Sequence, residues 1–269
     1  MTLFDDRSLS AAGIKLAAAT YNIHRCFGTD GRYGPERIAE VLRALDADVL
    51  GLQEIDMKLL VDGRTQLDYF AETLGMHAVA GPNIKGRRGK FGNALLSRWP
   101  VALVRRVDFT VGHFEPRGAL DCELQVGSTR VRAVVTHLGL SSAERRHQVA
   151  VLLDALAGAS DGMPTVVMGD FNEWRPTRGA LRHLDRRLGT SLMPRTFPSR
   201  LPILPLDRIW VWPEPGLARL SVHAAAPARV ASDHLPLKAE VHWHAIGSET
   251  GMTGGFSYHQ GAPGARKGY

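Results

Sequence analysis

Asp48-Val49-Leu50-Gly51-Leu52-Gln53-Glu54 decides how the rest of the chain is read. Its apolar run is short, does not alternate with polar residues, and ends on an amide and a carboxylate. Such a run reads as a strand buried on both faces. On its N-terminal side, Pro35 to Leu45 reads as a helix. Pro35 falls in the first turn, and Ile38, Val41, Leu42 and Leu45 share one face. Before that helix, Ile14 to Ile23 reads as a strand leading into a polar loop. On the C-terminal side, Gln66 to Leu74 is helical and is closed by Gly75. Short strands follow at Asn93–Leu96 and Ala102–Phe109, then at Ala119–Val126 and Val131–Thr136 around a tight turn at Gly127-Ser128. Ser142 to Leu156 reads as a helix with Ser142 as its cap. Thr165–Met168, Ile209–Trp212 and Leu237–Trp243 complete the strands. Some neighbouring strands are joined by tight turns and others by helices. That predicts mixed sheets covered by helices, an α+β or α/β sandwich, and excludes a doubly wound parallel sheet.

The chain has 269 residues, 44% of them hydrophobic, enough for a sizeable core. We expect one domain over residues 14–244, a flexible N-terminus over 1–13, and a Gly-rich disordered tail over 245–269. No stretch reaches the roughly 18 apolar residues of a membrane span, and the acidic start shows no secretory signal. Cys26 and Cys122 form no CxxC pair and no disulfide framework, so a cytoplasmic protein with reduced thiols is expected. The net charge of +6 and pI of about 9.6 favour an anionic partner: nucleic acid, anionic lipid or a small phosphate. The run Lys85-Gly86-Arg87-Arg88-Gly89-Lys90 reads either as a solvated loop or as an electrostatic lip beside a phosphate site. No protein partner is indicated.

The polar residues that could do chemistry fall at strand ends. Asn22 and His24 follow the first strand, and Gln53 and Glu54 end the second. Asn93 opens a strand, His137 closes one, and Asp170 and Asn172 follow Thr165–Met168. Asp207 precedes Ile209, and Asp233 and His234 precede the last strand. Strand ends hold side chains on a rigid frame, while the loops leave them accessible. Cleaving a phosphate ester requires neutralising anionic oxygens, orienting a water and protonating the leaving oxygen. Hard oxygen donors with few, separated histidines suit Mg²⁺ or Mn²⁺ rather than a thiolate zinc site. No HExxH spacing supports a zinc hydrolase built on the 11 histidines.

Taken in order, Thr20-Tyr21-Asn22-Ile23-His24, Leu52-Gln53-Glu54-Ile55, Gly92-Asn93-Ala94-Leu95-Leu96-Ser97, Thr136-His137-Leu138, Gly169-Asp170-Phe171-Asn172, Leu206-Asp207-Arg208-Ile209 and Ser232-Asp233-His234-Leu235-Pro236 form a recognisable set. The chain resembles the endonuclease/exonuclease/phosphatase superfamily with the DNase I-like fold. Arg195-Thr196-Phe197-Pro198-Ser199 and Thr136-His137-Leu138-Gly139-Leu140 place it nearest the bacterial YbhP-like members. The resemblance implies a four-layer α/β sandwich, with two mixed β-sheets packed face to face, helices outside, and a site at one edge. It also implies a Mg²⁺- or Mn²⁺-dependent phosphodiesterase or phosphomonoesterase acting on nucleic acid, phospholipid or a small phosphodiester. The alternative is a non-catalytic binding module of the same fold.

By motif, Glu54 would be the main metal ligand with Asn22 and Asp233. Asp170 would orient or deprotonate the water, and Asn172 would hold a phosphate oxygen. His234, polarised by Asp207, would stabilise the transition state, and His137 would be a general acid. Asn93, Arg117 and His24 would contact or orient the substrate. Abasic-site repair members usually carry an acidic residue where this chain has His24, and lack His137, which argues against DNA repair. The segment around Phe197 is expected to line the substrate cleft.

Overall fold

The computed structural model describes residues 9–10, 13–84, 91–157, 162–175, 179–214 and 216–244. The strands are β1 (Leu9–Ser10), β2 (Gly13–Asn22), β3 (Val49–Asp56), β4 (Leu60–Val61), β5 (Arg64–Thr65), β6 (His77–Ile84), β7 (Phe91–Ser97), β8 (Val101–Asp108), β9 (Gly118–Val126), β10 (Thr129–His137), β11 (Thr165–Asp170), β12 (Asp207–Trp212), β13 (Leu217–Val222) and β14 (Leu237–His244). The helices are α1 (Pro35–Leu45), α2 (Gln66–Leu74), α3 (Ser142–Ala157), α4 (Arg182–Leu188) and α5 (Ala228–Ala231).

One sheet runs β13-β14-β2-β3-β7-β6, with β1 paired to β2, and the other runs β12-β11-β10-β9-β8. Each contains one parallel pair, β2 with β3 and β10 with β11, flanked by antiparallel neighbours. Parallel neighbours need a crossover, and α1 and α3 supply the two. The mixture of turns and helices read from the sequence therefore produces two mixed sheets.

The sheets face each other across a core that includes Leu16, Val49, Leu95, Leu124, Val135, Met168, Ile209 and Val241. A second cluster packs Ile38, Leu42 and Phe70 of α1 and α2 on the outer face of the first sheet. A third packs Val149, Leu152 and Leu184 of α3 and α4 on the outer face of the second. The result is the four-layer sandwich. Gly51 explains why the central apolar run carries a glycine: a Cβ there would stand 2.9 Å from Val135 Cγ2 and 3.2 Å from Met168 Cε on the opposing sheet. Both cysteines are buried and free.

Several elements are not legible in the sequence. β6 carries Gly81-Pro82, which reads as a turn, but an edge strand paired only with β7 tolerates proline. β13 is also an edge strand, and exposed polar residues hide its pattern. The β4–β5 hairpin is two residues per strand, and α4 buries only Leu184 and Leu188. Lys85 to Lys90 lies outside the described residues, as does all of 245–269. Within 1–13, Leu9 and Ser10 pair with Ile14 and Gly13.

The cap of α3 is also one residue earlier than expected. Ser141 Oγ accepts from Ala143 N at 3.2 Å, and Glu144 Oε2 accepts from Ser141 N at 3.0 Å, so Ser141 and Glu144 form a reciprocal capping box. Ser141→Ala is expected to lower stability by about 1 kcal/mol in urea denaturation. Ser142→Ala should change it by less than about 0.5 kcal/mol. Equal losses in both would return the cap to Ser142.

Candidate active site

Strand register brings the polar ends together. Asn22 pairs with Gln53 across β2 and β3. His137 is opposite Gly118 on one side and Asp170 on the other, and Asp170 is opposite Asp207. All of these lie at the same edge of the sandwich. Asn22 Nδ2 then crosses between the sheets, donating to Asp170 Oδ2 at 3.1 Å and to Glu54 Oε1 at 3.0 Å. Asp207 Oδ2 holds His234 Nδ1 at 2.9 Å, and His234 Nε2 stands 3.6 Å from Asp170 Oδ2. Glu54, Asp170, Asp207 and His234, distant along the chain, thus form one connected constellation.

The backbone is strained where it presents these groups. Glu54 (φ 61°) and Asn172 (φ 50°) are left-handed, as are His24, Arg25 and Cys26 in succession. Such residues cost about 1–3 kcal/mol each and persist where surrounding packing imposes them. At Glu54 the pairing of β3 with β7 slips between Leu52 and Ile55. A bulge there turns the Glu54 side chain out of the strand alternation. A further close approach lies at Gly169, where a Cβ would stand 2.0 Å from Thr136 O. Only glycine lets β11 lie this close to β10 just before Asp170.

The electrostatics follow from burial. Burial raises the Asp170 carboxyl to about 7, with Asp207 adding to the rise and His234 and the hydrogen bonds from Asn22 and Asn172 opposing it. Burial works against a charged His234, but Asp207 and Asp170 outweigh it and raise the imidazole to about 10. His137 goes the other way: burial, Arg117 and His234 hold it well below the usual histidine value. Arg117 Nη1 lies 3.4 Å from His137 Nδ1. Asn172 Nδ2 lies 3.1 Å from His137 Nε2, so both ring nitrogens face N–H donors, which favours the neutral ring, and Nε2 stands 3.4 Å from Asp170 Oδ2.

The remaining predicted residues surround this centre. Asn172 N donates to Asp170 Oδ1 at 3.0 Å, and its amide donates to Leu138 O at 2.9 Å. Buried Asn93 donates to Gly118 O at 2.9 Å, linking β7 to β9 at the cleft edge. Arg117 is buried, with Nη2 on Glu115 at 3.2 Å. His24 Nδ1 lies 3.0 Å from Phe27 O and 3.9 Å from Asp233 Oδ1, with its ring partly exposed. Phe197 packs against the His234 ring at 4.9 Å between centroids, which places the Arg195–Ser199 segment at the cleft.

Several supporting residues were not legible in the sequence. Ser232 Oγ donates to Asn22 O at 2.7 Å and accepts from His234 N at 3.3 Å, tying the last motif to the first. Arg145 holds Gly139 O, Leu140 O and Glu173 Oε2. Arg208 donates to Pro205 O and Glu173 O. Serine and arginine in polar loops give no signal of such bridges. Ser232-Asp233-His234 was legible as a motif, without its partner.

The donor set at the cleft fits a hard divalent cation. Glu54 is partly exposed, and beyond its Oε1 contact with Asn22 it offers a second carboxylate oxygen. Asp233 lies nearby, partly exposed. Among the described residues no three His, Cys, Asp or Glu side chains close on one point. One or two carboxylates with retained waters is the arrangement Mg²⁺ accepts.

Two mixed sheets with an Asn, Glu, Asp and His cleft at one edge define a phosphoesterase class of fold. The chain belongs to the endonuclease/exonuclease/phosphatase family, whose model matches residues 19–234. It is 32% identical over 243 residues to the protein YbhP of Escherichia coli K12, covering 83% of this chain and 94% of that one. In fold it is similar to a mannosyl-6-phosphatase of Bacteroides thetaiotaomicron, with a TM-score of 0.69, 17% identity, and coverage of 84% of this chain and 99% of that one. It is also similar to the human Nocturnin catalytic domain with bound sulfate, with a TM-score of 0.66, 21% identity, and coverage of 88% and 96%.

Proposed function

We propose that this chain is a Mg²⁺- or Mn²⁺-dependent phosphoesterase that hydrolyses a phosphodiester or phosphomonoester by in-line attack of water. The observation that carries this reading is buried Asp170, bracketed within 3.6 Å by Asn22, His137 and His234, with Asp207 behind His234. A carboxyl raised to about 7 is matched to taking a proton from water near neutral pH. Asn22 and the Asn172 backbone fix its orientation.

His234 holds its proton at neutral pH because two carboxylates favour the imidazolium. It is placed to stabilise charge on the phosphoryl oxygens and to give a proton to the leaving oxygen. The proton therefore comes from His234 rather than from His137, which burial and Arg117 keep neutral. The Asn172 amide is engaged by Leu138 O and His137 Nε2, so Arg117 supplies the further N–H donors for phosphate oxygens. Glu54, Asn22 and Asp233 would hold the cation, which when bound supplies Lewis-acid neutralisation of the phosphoryl charge.

The test is hydrolysis of bis(4-nitrophenyl) phosphate, 4-nitrophenyl phosphate, plasmid DNA and phospholipid with Mg²⁺ or Mn²⁺. Activity should vanish with a chelator and return with added metal. Glu54→Gln should lower the rate by about 10²-fold and raise the Mg²⁺ concentration needed for half-maximal rate. Undiminished hydrolysis in Glu54→Gln, or in chelator, would overturn the assignment.

A further inference from the structure

The loops at the cleft edge also carry large apolar side chains left in water. Leu140 follows His137 and Trp174 follows Asn172. Leu201 and Ile203 lie on the loop whose Phe197 covers His234. Leu140 and Leu201 are 74% and 70% exposed. A single exposed leucine is ordinary, but four large apolar side chains on the loops that carry His137, Asn172 and Phe197 mark an interaction surface. The backbone beneath them is held in place. Arg145 binds Leu140 O and Glu173 together, Leu201 N donates to Pro198 O, and Ile203 N donates to Phe197 O.

Arginines adjoin these residues in the chain. Arg175, Arg195 and Arg200 are exposed, and none has an ion-pair partner among the described residues. Arg175 lies 6.0 Å from the Trp174 ring, and Arg200 is next to Leu201. An occupant that complements this surface presents anionic oxygens with hydrocarbon directly behind them. A bilayer of anionic phospholipid does so. Nucleic acid supplies the phosphates, but its bases stack on aromatic faces, which Trp174 offers and Leu140, Leu201 and Ile203 do not. Among the described residues no helix is long and apolar enough to cross a membrane, so the contact is peripheral.

We propose that the mouth of the cleft docks on an anionic phospholipid surface, with the leucines and Trp174 entering the acyl boundary and the arginines meeting headgroup phosphates, so that the substrate is a lipid phosphoester presented there. The substrate half rests on the phosphoesterase reading above; the docking half does not.

The experiment is sedimentation of the full chain with vesicles of equal parts phosphatidylglycerol and phosphatidylcholine, without metal. The parent should pellet with the vesicles. Leu140→Ser/Leu201→Ser should weaken that binding by at least about tenfold. Arg175→Gln/Arg200→Gln should weaken it by about tenfold or more and flatten its salt dependence. Both double variants should hydrolyse soluble bis(4-nitrophenyl) phosphate at the parent rate, which shows that they fold. A parent that stays in the supernatant, or a leucine variant that pellets as the parent does, overturns the docking surface. Binding to a single-stranded oligonucleotide without binding to vesicles overturns it in favour of nucleic acid. If vesicle binding depends on the leucines but the parent hydrolyses no soluble phosphoester with metal, docking stands and the phosphoesterase reading fails.

Discussion

His234→Ala is expected to lower metal-dependent phosphoester hydrolysis by about 10³-fold or more. The side chain supplies both a positive charge aimed at the developing phosphoryl charge and a proton for the leaving oxygen. Removing a preorganised donor of either kind costs about 10²–10³-fold. Asp207 acts through it. With its Oδ2 2.9 Å from His234 Nδ1, it fixes the ring's orientation and favours its charged form. Asp207→Asn should therefore lose about 10²-fold by itself, yet add little on top of His234→Ala, because two residues working as one unit are not additive. Asp170→Asn should match His234→Ala in severity, since an amide cannot take the proton of water. Rates for each variant and for the Asp207→Asn/His234→Ala double would decide. Fully multiplicative losses would separate Asp207 from His234, and near-parent activity in His234→Ala would remove it from the chemistry.

Asp121→Ala is expected to destabilise the fold by about 3–5 kcal/mol, a large part of the roughly 5–15 kcal/mol that holds a domain together. Asp121 on β9 and Arg132 on β10 are diagonal neighbours, both buried, with Arg132 Nε and Nη2 on the two carboxylate oxygens at 2.8 and 2.7 Å. The same guanidinium caps the end of α3 through Ala155 O and Leu156 O. Removing the carboxylate leaves a buried cation without its counter-charge. Burial alone would raise the Asp121 carboxyl, but Arg132 and Arg105 outweigh it and hold it below its ordinary 3.8. A carboxyl depressed in the folded state contributes stability above about pH 4 and loses it as the pH falls through the lower, folded value. The gap between parent and variant should thus be full at neutral pH and shrink in acid below about pH 4. Arg105→Gln, which removes a partly exposed partner of the same carboxylate, should cost about 1 kcal/mol or less. Urea denaturation across pH would measure all three. An Asp121→Ala loss no larger than that of Arg105→Gln would show that the buried pair is not what secures α3 to the sheet.

The strands and crossover helices were readable because their apolar spacing is local. Pro35–Leu45 and Gln66–Leu74 match their helices end to end. The edge strands β6 and β13 were not, since a proline and polar residues are admitted where one side of a strand has no partner. The capping box shows how close the limits lie: Ser141 and Ser142 are adjacent serines, and only the Glu144 contact distinguishes them. At the site, the residue types and their strand-end positions were visible in the chain. The separation of His137 from His234 was not, because it depends on which neighbour each ring meets.

By itself, then, the order of apolar runs, turns and polar strand ends determined a family, a layered architecture and a set of candidate site residues. Tertiary structure alone decided in which histidine the surroundings favour the charged form, which arginine is buried against which carboxylate, and which leucines remain in water. Hydrophobic periodicity is written within a dozen residues, whereas ionisation and exposure are set by whichever groups the fold brings together, whether 11 or 148 residues apart in the chain. Asn22 meeting Asp170 is the clearest case.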